Sequence, residues 1–256
     1  MSEPVVTDLR QFADARQAAE ACGRQILDWL RETIGQNGSA SLAISGGSSP
    51  RPMFEMFART PFDWERVHLF WVDERGVPPG DPQSNFKLAN DTWLAAAAFP
   101  KGNLHRVEAE LSAALAAERY AAGIRRHFGL RAGELPRFDV IHRGMGPDAH
   151  TASLFPGEPL IANRADIAAA VWVEKFAQWR ITLLPGVLLA ARHTAMLVTG
   201  SDKAKPLHAV LHDPFDPVRY PSQLASREGT VWFLDQAAAA EEESEQKQAS
   251  ADERQA

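Results

Sequence analysis

The sequence predicts an α/β protein of Rossmann-like type: a mostly parallel sheet with helices on both faces, in a single domain. Three observations predict it. Short runs rich in Val, Ile, Leu and Phe alternate with longer segments of helical periodicity along the 256-residue chain. At 45% hydrophobic, the chain can bury one sizeable core. Polar loops follow four of the strand-like runs, which is where folds of this type carry their ligands.

Each element has its own signal. Residues 8–34 read as an amphipathic helix, because Phe12, Ala15, Ala19, Cys22, Ile26, Leu30 and Ile34 recur at spacings of three and four. The run 39-SASLAIS-45 is a buried strand, followed by 46-GGSSP-50 and a helix over 50–58. A second strand, 67-VHLFWV-72, leads into the loop 73-DERGVPPGDPQS-84 and a helix over 85–98. A helix over 111–128 precedes the strand 138-FDVIHR-143 and the loop 144-GMGPDAHTASLFPG-157. Next come the apolar run 167-IAAAVWVE-174, a short strand near 180-RITL-183 and a helix starting near Pro185. The strand 195-AMLVTG-200, a helix over 201–211 and the strand 230-TVWFL-234 complete the pattern.

The domain is drawn over 1–235. Residues 236–256 are expected to form an acidic, disordered tail, since nothing in it larger than Ala is apolar. The net charge is −6, of which 241-EEESEQKQASADERQA-256 carries −4 through six acidic and two basic residues. The remaining −2 is close to balance, so no nucleic-acid partner is expected. No apolar run approaches the ~18–20 residues of a membrane helix, and the start MSEPVVTDLRQF does not read as a signal peptide. Cys22 is the only cysteine and cannot close an intrachain disulfide, which fits a reducing cytoplasm.

The four loops carry the chemistry. In 45-SGGSSP-50, Gly46 and Gly47 allow close backbone approach and Ser48 or Ser49 can cap the next helix, a natural seat for a phosphate. Pro50 and Pro52 remove two N–H donors from that turn, so an anion would rest on Gly46 to Ser49. An ordinary strand-to-helix turn has the same composition. In 73-DERGVPP-79, Arg75 can serve as a fixed cation for an oxyanion or phosphate, oriented by Asp73 or Glu74; the plain alternative is a solvated ion pair.

The loop after 138–143 reads two ways. Gly144, Gly146 and Ala149 match the glycine pattern of a dinucleotide cradle, but Asp148 would put a negative charge where a pyrophosphate should sit. Alternatively Asp148 and His150 are a proton-transfer pair, with the carboxylate orienting the imidazole. Asp148 as a simple turn former and His150 as a helix-start residue fit the same spacing. There is no G-x-S-x-G elbow and no HExxH. The eight histidines show no metal-ligand spacing; His208 and His212 stand four apart on a helix but lack a third ligand nearby in sequence.

Taken together, the loops resemble those of the 6-phosphogluconolactonase family, over the chain up to about residue 235. The carrying motifs are 45-SGGSSP-50, 73-DERGVP-78 with Ser84-Asn85, 144-GMGPDAHTASLFPG-157, Arg180 with Thr182, and 200-GSDKAK-205. The resemblance implies a Rossmann-like fold without metal, nucleotide or other cofactor. It implies hydrolysis of a small-molecule sugar-phosphate lactone, 6-phospho-D-glucono-1,5-lactone, to 6-phospho-D-gluconate in the oxidative pentose phosphate pathway. By position, His150 matches the family's base, Asp148 its partner and Arg75 the arginine near the lactone. Gly46, Gly47 and Ser48, with Arg180 and Lys203, match the phosphate-binding side. Glucosamine-6-phosphate deaminases share the glycine loop and the D-x-H, and a non-catalytic sugar-phosphate-binding regulator is the other alternative; 151-TASLFPG-157 favours the lactonases.

Three departures from the family pattern stand out. Ala149 replaces the usual glycine, at a cost of about 1 kcal/mol or more if that residue needs positive φ. The preceding strand ends in His142-Arg143 instead of two apolar residues, and Arg143 is a further candidate for anion binding. SGGSSP replaces SGGSTP and keeps the hydroxyl.

Overall fold

The helical stripe begins later than its periodicity suggests, because the first apolar residues are drawn into the sheet. In the computed structural model, which describes residues 8–242, Leu9–Phe12 form β1 and the helix α1 spans Ala15–Asn37. Asp14 caps it, its carboxylate accepting from the Gln17 amide at 2.8 Å, and Gly38 closes it in the left-handed region. Leu9 and Phe12 fit the helical spacing, but β10 (Thr230–Asp235) offers an open edge, with Leu9 paired to Trp232. That contact spans the chain, so periodicity within a window cannot see it.

The remaining elements follow in order: β2 (Ala40–Ile44), α2 (Arg51–Arg59), β3 (Val67–Trp71), β4 (Asp73–Arg75), α3 (Asn85–Ala89), β5 (Leu104–His105) and α4 (Ala113–Phe128). Then come β6 (Val140–Gly144), β7 (Ala168–Val173), β8 (Gln178–Leu183), α5 (Pro185–Ala190), β9 (His193–Val198), α6 (Ala204–His212) and β10. The expected helix over 85–98 is α3 continued by a π turn over Asn90–Leu94. The expected loop at 73 begins as a strand, because β8 supplies an antiparallel partner, with Arg75 opposite Arg180.

Seven parallel strands form the main sheet, in the order β1-β10-β9-β6-β2-β3-β5. A smaller antiparallel sheet, β4-β8-β7, stands beside it. All five residues of β2 are buried, as expected of a strand covered on both faces. Ile26, Leu30, Phe54, Phe57, Leu69 and Phe138 are completely buried, each contributing about 1.5–3 kcal/mol on leaving water. The chain leaves β2 toward β3 and β5 on one side and returns through β6 on the other. The sheet thus has a switch point between β2 and β6, where two loops diverge and leave a crevice.

Residues 236–242 continue the fold. The Gln236 amide donates to the Phe12 carbonyl at 2.9 Å, Ala238 and Ala239 are buried, and Glu242 lies against His208 and His212. The rest of the segment expected to be a disordered tail, 243–256, lies outside the described residues. No helix among the described residues is long and apolar enough to cross a membrane.

Candidate active site

A cavity of about 240 Å³ opens at the switch point between β2 and β6. Of the residues matched by position to family roles, all but Asp148 line it: Gly46, Gly47 and Ser48 after β2, Arg75 on β4, His150 after β6, Arg180 on β8 and Lys203 before α6. Asp148 stands behind His150, with Oδ1 2.5 Å from the imidazole Nδ1. Among the described residues, Nε2 of His150 has no partner, while the ring stacks on Phe155 at 4.2 Å.

The glycines of 144–150 serve this imidazole. Gly146 accepts the side chain of His150 against its backbone: an added methyl would lie 1.9 Å from Nδ1. The Gly146 amide donates to the His150 carbonyl at 2.9 Å, and the Ala149 amide to the Gly146 carbonyl at 3.0 Å. This tight reversal sends Ala149 to φ 62°, a conformation costing an L-residue about 1–2 kcal/mol. The glycine usual at this position is thus a steric match, and Ala149 carries the strain. Ser222 restrains the loop from outside, its amide donating to the Ala149 carbonyl at 2.9 Å and its hydroxyl to the His150 carbonyl at 3.2 Å.

Asp148 has a second partner that the sequence did not suggest. Lys175, at the tip of the β7–β8 hairpin, places Nζ 2.9 Å from Oδ2. Burial alone would raise the Asp148 carboxyl, but hydrogen bonds from His150 and Lys175 outweigh it and hold the group well below the usual carboxylate range. Lys175 was missed because a lysine in a polar turn looks like any solvated residue. Only the hairpin's return over the loop brings it to Asp148.

Of the DER residues, only Arg75 faces the cavity as a cation. Glu74 is buried and caps α3, accepting from the Asn85 and Phe86 amides at 2.7 and 2.8 Å. Asp73 accepts from the Ser153 hydroxyl at 2.8 Å. Neither carboxylate pairs with the Arg75 guanidinium, contrary to the orienting role expected of them; Nη1 of Arg75 donates instead to the Gln83 carbonyl at 2.6 Å. Arg180 stands opposite Arg75 across the β4–β8 pair, so two guanidiniums share one wall. Burial, with Arg75 nearby, lowers the Arg180 pKa, while Asp73 and Glu74 oppose that shift.

The glycine loop forms the wall nearer Lys203. The Ser49 and Thr199 hydroxyls lie 2.8 Å apart, joining this loop to the β9–α6 turn. Asp235 holds that turn by accepting from the Gly200 amide at 3.0 Å, and Lys203 contacts Asp202. A methyl on Gly46 would lie 1.9 Å from Asn85 Oδ1, so the loop packs directly on Asn85.

The cavity also collects unsatisfied polar atoms. Ser45 Oγ, Asn85 Oδ1 and both nitrogens of His142 are buried without partners, and all three residues line it. Burial pushes the His142 imidazole down to about 3, so it is neutral at physiological pH. At a cavity wall such groups are open to bonds from water or a ligand. Arg143 does not join them. It is fully buried outside the cavity lining, with one long contact from Nη2 to the Leu224 carbonyl at 3.4 Å. Successive β-strand residues face opposite sides, so His142 and Arg143 cannot both reach the crevice.

Residues 13–233 match the family model described as glucosamine-6-phosphate isomerases/6-phosphogluconolactonase. A 6-phosphogluconolactonase of Nostoc sp. is 36% identical over 218 residues, covering 84% of this chain and 90% of that one. The crystal structure of 6-phosphogluconolactonase from Thermotoga maritima superposes with a TM-score of 0.78 at 28% identity, covering 90% of this chain and 100% of that one. A monomeric glucosamine-6-phosphate deaminase reaches the same TM-score at 15% identity, covering 91% and 99%, a likeness of fold alone.

Proposed function

The chain belongs to the glucosamine-6-phosphate isomerase/6-phosphogluconolactonase family, and from that premise we propose that it hydrolyses 6-phospho-D-glucono-1,5-lactone to 6-phospho-D-gluconate through a water activated by His150. The observation that carries this reading is the Asp148–His150 pair, its second imidazole nitrogen unpartnered at a cavity walled by Arg75, Arg180 and Lys203.

A lactone is an activated ester, so no covalent enzyme intermediate is needed. Nε2 of His150 takes a proton from water as the water oxygen attacks C1. The electron pair of the C1 carbonyl moves to its oxygen, and Arg75 stabilises that oxyanion. Collapse breaks the bond from C1 to the ring oxygen, which takes the proton back from the imidazolium. The product carboxylic acid then ionises, releasing one proton to solvent. General-base help is worth about 10²–10⁴-fold, and a cation at the oxyanion about 10²-fold or more. Gly46, Gly47 and Ser48 with Arg180 and Lys203 hold the phosphate, which turns binding energy into orientation at C1. The lone, fully buried Cys22 fits a cytoplasmic site of action.

The test is acid release from freshly made phosphorylated lactone, measured against spontaneous hydrolysis. Wild-type protein is expected to accelerate it and His150→Ala to lose most of the acceleration while keeping its melting temperature. Undiminished activity in that variant, or ammonia release from glucosamine 6-phosphate by the wild type, would sink the reading.

A further inference from the structure

Folding assembles histidines that lie far apart in the sequence. We propose that His68 on β3, His105 on β5 and His127 in the last turn of α4 form a binding site for a divalent transition-metal ion of the zinc class. Their candidate ligand atoms lie within 4.8 Å of one another, and Nδ1 of His68 is 3.1 Å from Nε2 of His105, a hydrogen bond whose shared proton the ion would displace. Three nitrogens around zinc at about 2.0–2.1 Å lie roughly 3.4 Å apart, so one pair already meets the requirement and modest rotation of the third ring completes it. The sequence shows no metal-ligand spacing here because the three histidines come from separate elements. Adjacent parallel strands bring His68 beside His105, and α4 brings in His127.

The environment suits coordination. All three rings are half-buried, and Phe70 stacks on His105 at 4.2 Å, fixing its plane. Burial lowers the pKa of each imidazole, leaving neutral rings with lone pairs available to a cation. No ring of the three pairs with a carboxylate among the described residues. His105 opens into a hollow separate from the catalytic cavity, which leaves room for a water as fourth ligand. Arg106 and Arg119 line that hollow but are paired with Glu110 and Glu108. Arg126 also lines it, and Asp139 acts on His127 in the favourable sense. Imidazole donors without thiolate or carboxylate favour zinc, cobalt, nickel or copper over magnesium or calcium. The ion would clasp the two-residue edge strand β5 to α4, away from the catalytic chemistry.

A second cluster, His208, His212 and Glu242, is the competing location. There each of two imidazoles already faces a carboxylate oxygen, at 3.1 and 2.7 Å, so a metal would have to displace two contacts with a charged group, against one imidazole–imidazole hydrogen bond in the first cluster.

The experiment titrates chelator-treated full-length protein with Co²⁺, reading visible absorption and heat, with Zn²⁺ as competitor and thermal unfolding as a second readout. One equivalent with the intense bands of tetrahedral cobalt is expected, displaced by Zn²⁺ and accompanied by a raised melting temperature. Affinity is expected to fall by about 10–100-fold or more in His127→Ala and in His68→Gln, and to be unchanged in His212→Ala. The melting temperature without metal checks that each variant is folded. Absence of cobalt binding, or binding that survives both substitutions, or binding lost only in His212→Ala, overturns the assignment.

Discussion

Nδ1 of His150 faces Oδ1 of Asp148 at 2.5 Å, so the nitrogen left for substrate is Nε2. A carboxylate in that position holds the proton on Nδ1 and favours the charged imidazolium as it forms. Asp148→Asn keeps a hydrogen-bonding group but removes the charge. Its kcat/KM is expected to fall about 10–100-fold, part of the general-base effect and less than the loss in His150→Ala. Equal activity of Asp148→Asn and wild type in a pH-stat assay would reduce the contact to loop scaffolding.

The same carboxylate links stability to pH. Its folded-state pKa lies below the unfolded value of about 3.9, so the native state gains stability that is complete above that value. The gain is lost as pH falls through the lower, folded pKa. Wild type is therefore expected to melt higher than Asp148→Asn at pH 6, with the gap closing below pH ~4. Lys175→Ala should narrow the gap at pH 6 in part, and added salt should mimic it, because Lys175 is half exposed and screenable. A gap that stays constant down to pH ~2 contradicts the linkage.

Gly146→Ala tests whether the loop is built around the imidazole. The new methyl would occupy the place of His150 Nδ1, 1.9 Å away, so the ring must move. Misplacing a catalytic group by about 1 Å costs on the order of 10²-fold in kcat, and that loss is expected with circular dichroism unchanged. Wild-type kcat in this variant would show that the ring's seat is not needed.

His142→Leu should move stability and binding in opposite directions. Removing a buried imidazole with two unpartnered nitrogens is expected to stabilise the fold by about 1–3 kcal/mol, seen as a higher midpoint in urea. Because the imidazole lines the cavity, losing a polar partner for bound substrate should raise KM about 3–10-fold, with kcat less affected. A lower midpoint, or an unchanged KM, would show that the imidazole has partners of another kind.

How much of this was legible in the sequence depends on the range of the contact involved. The parallel strands β2, β3, β9 and β10 were readable because strands covered on both faces are largely apolar, and β6 was readable from its apolar start despite His142 and Arg143. β1 and β5 were not, since a four-residue and a two-residue strand exist only because neighbouring edges need partners. In the site, the residues in loops after strands were legible from chemistry and family resemblance. Lys175 and Ser222 were not: each reaches the Asp148–His150 loop through backbone turns, with no spacing signature, and Phe155, though inside the motif, gave no sign that it stacks on His150. Glu74 looked like a partner for Arg75 and is instead the cap of α3, because it is buried beside free helix amides. His208 and His212 lacked a third neighbour in sequence, yet Glu242 meets both in space.

The strand order has a consequence for the enzyme under stress. The loops that carry His150, the glycine cradle and Lys203 leave β6, β2 and β9, which occupy consecutive interior positions in the seven-stranded sheet. The marginal strands β1 and β5 lie at opposite rims. Fraying at either rim, the lowest-energy opening available to such a sheet, leaves the three central strands registered. In hydrogen exchange, amides of β1 and β5 should therefore trade with solvent long before catalysis fails.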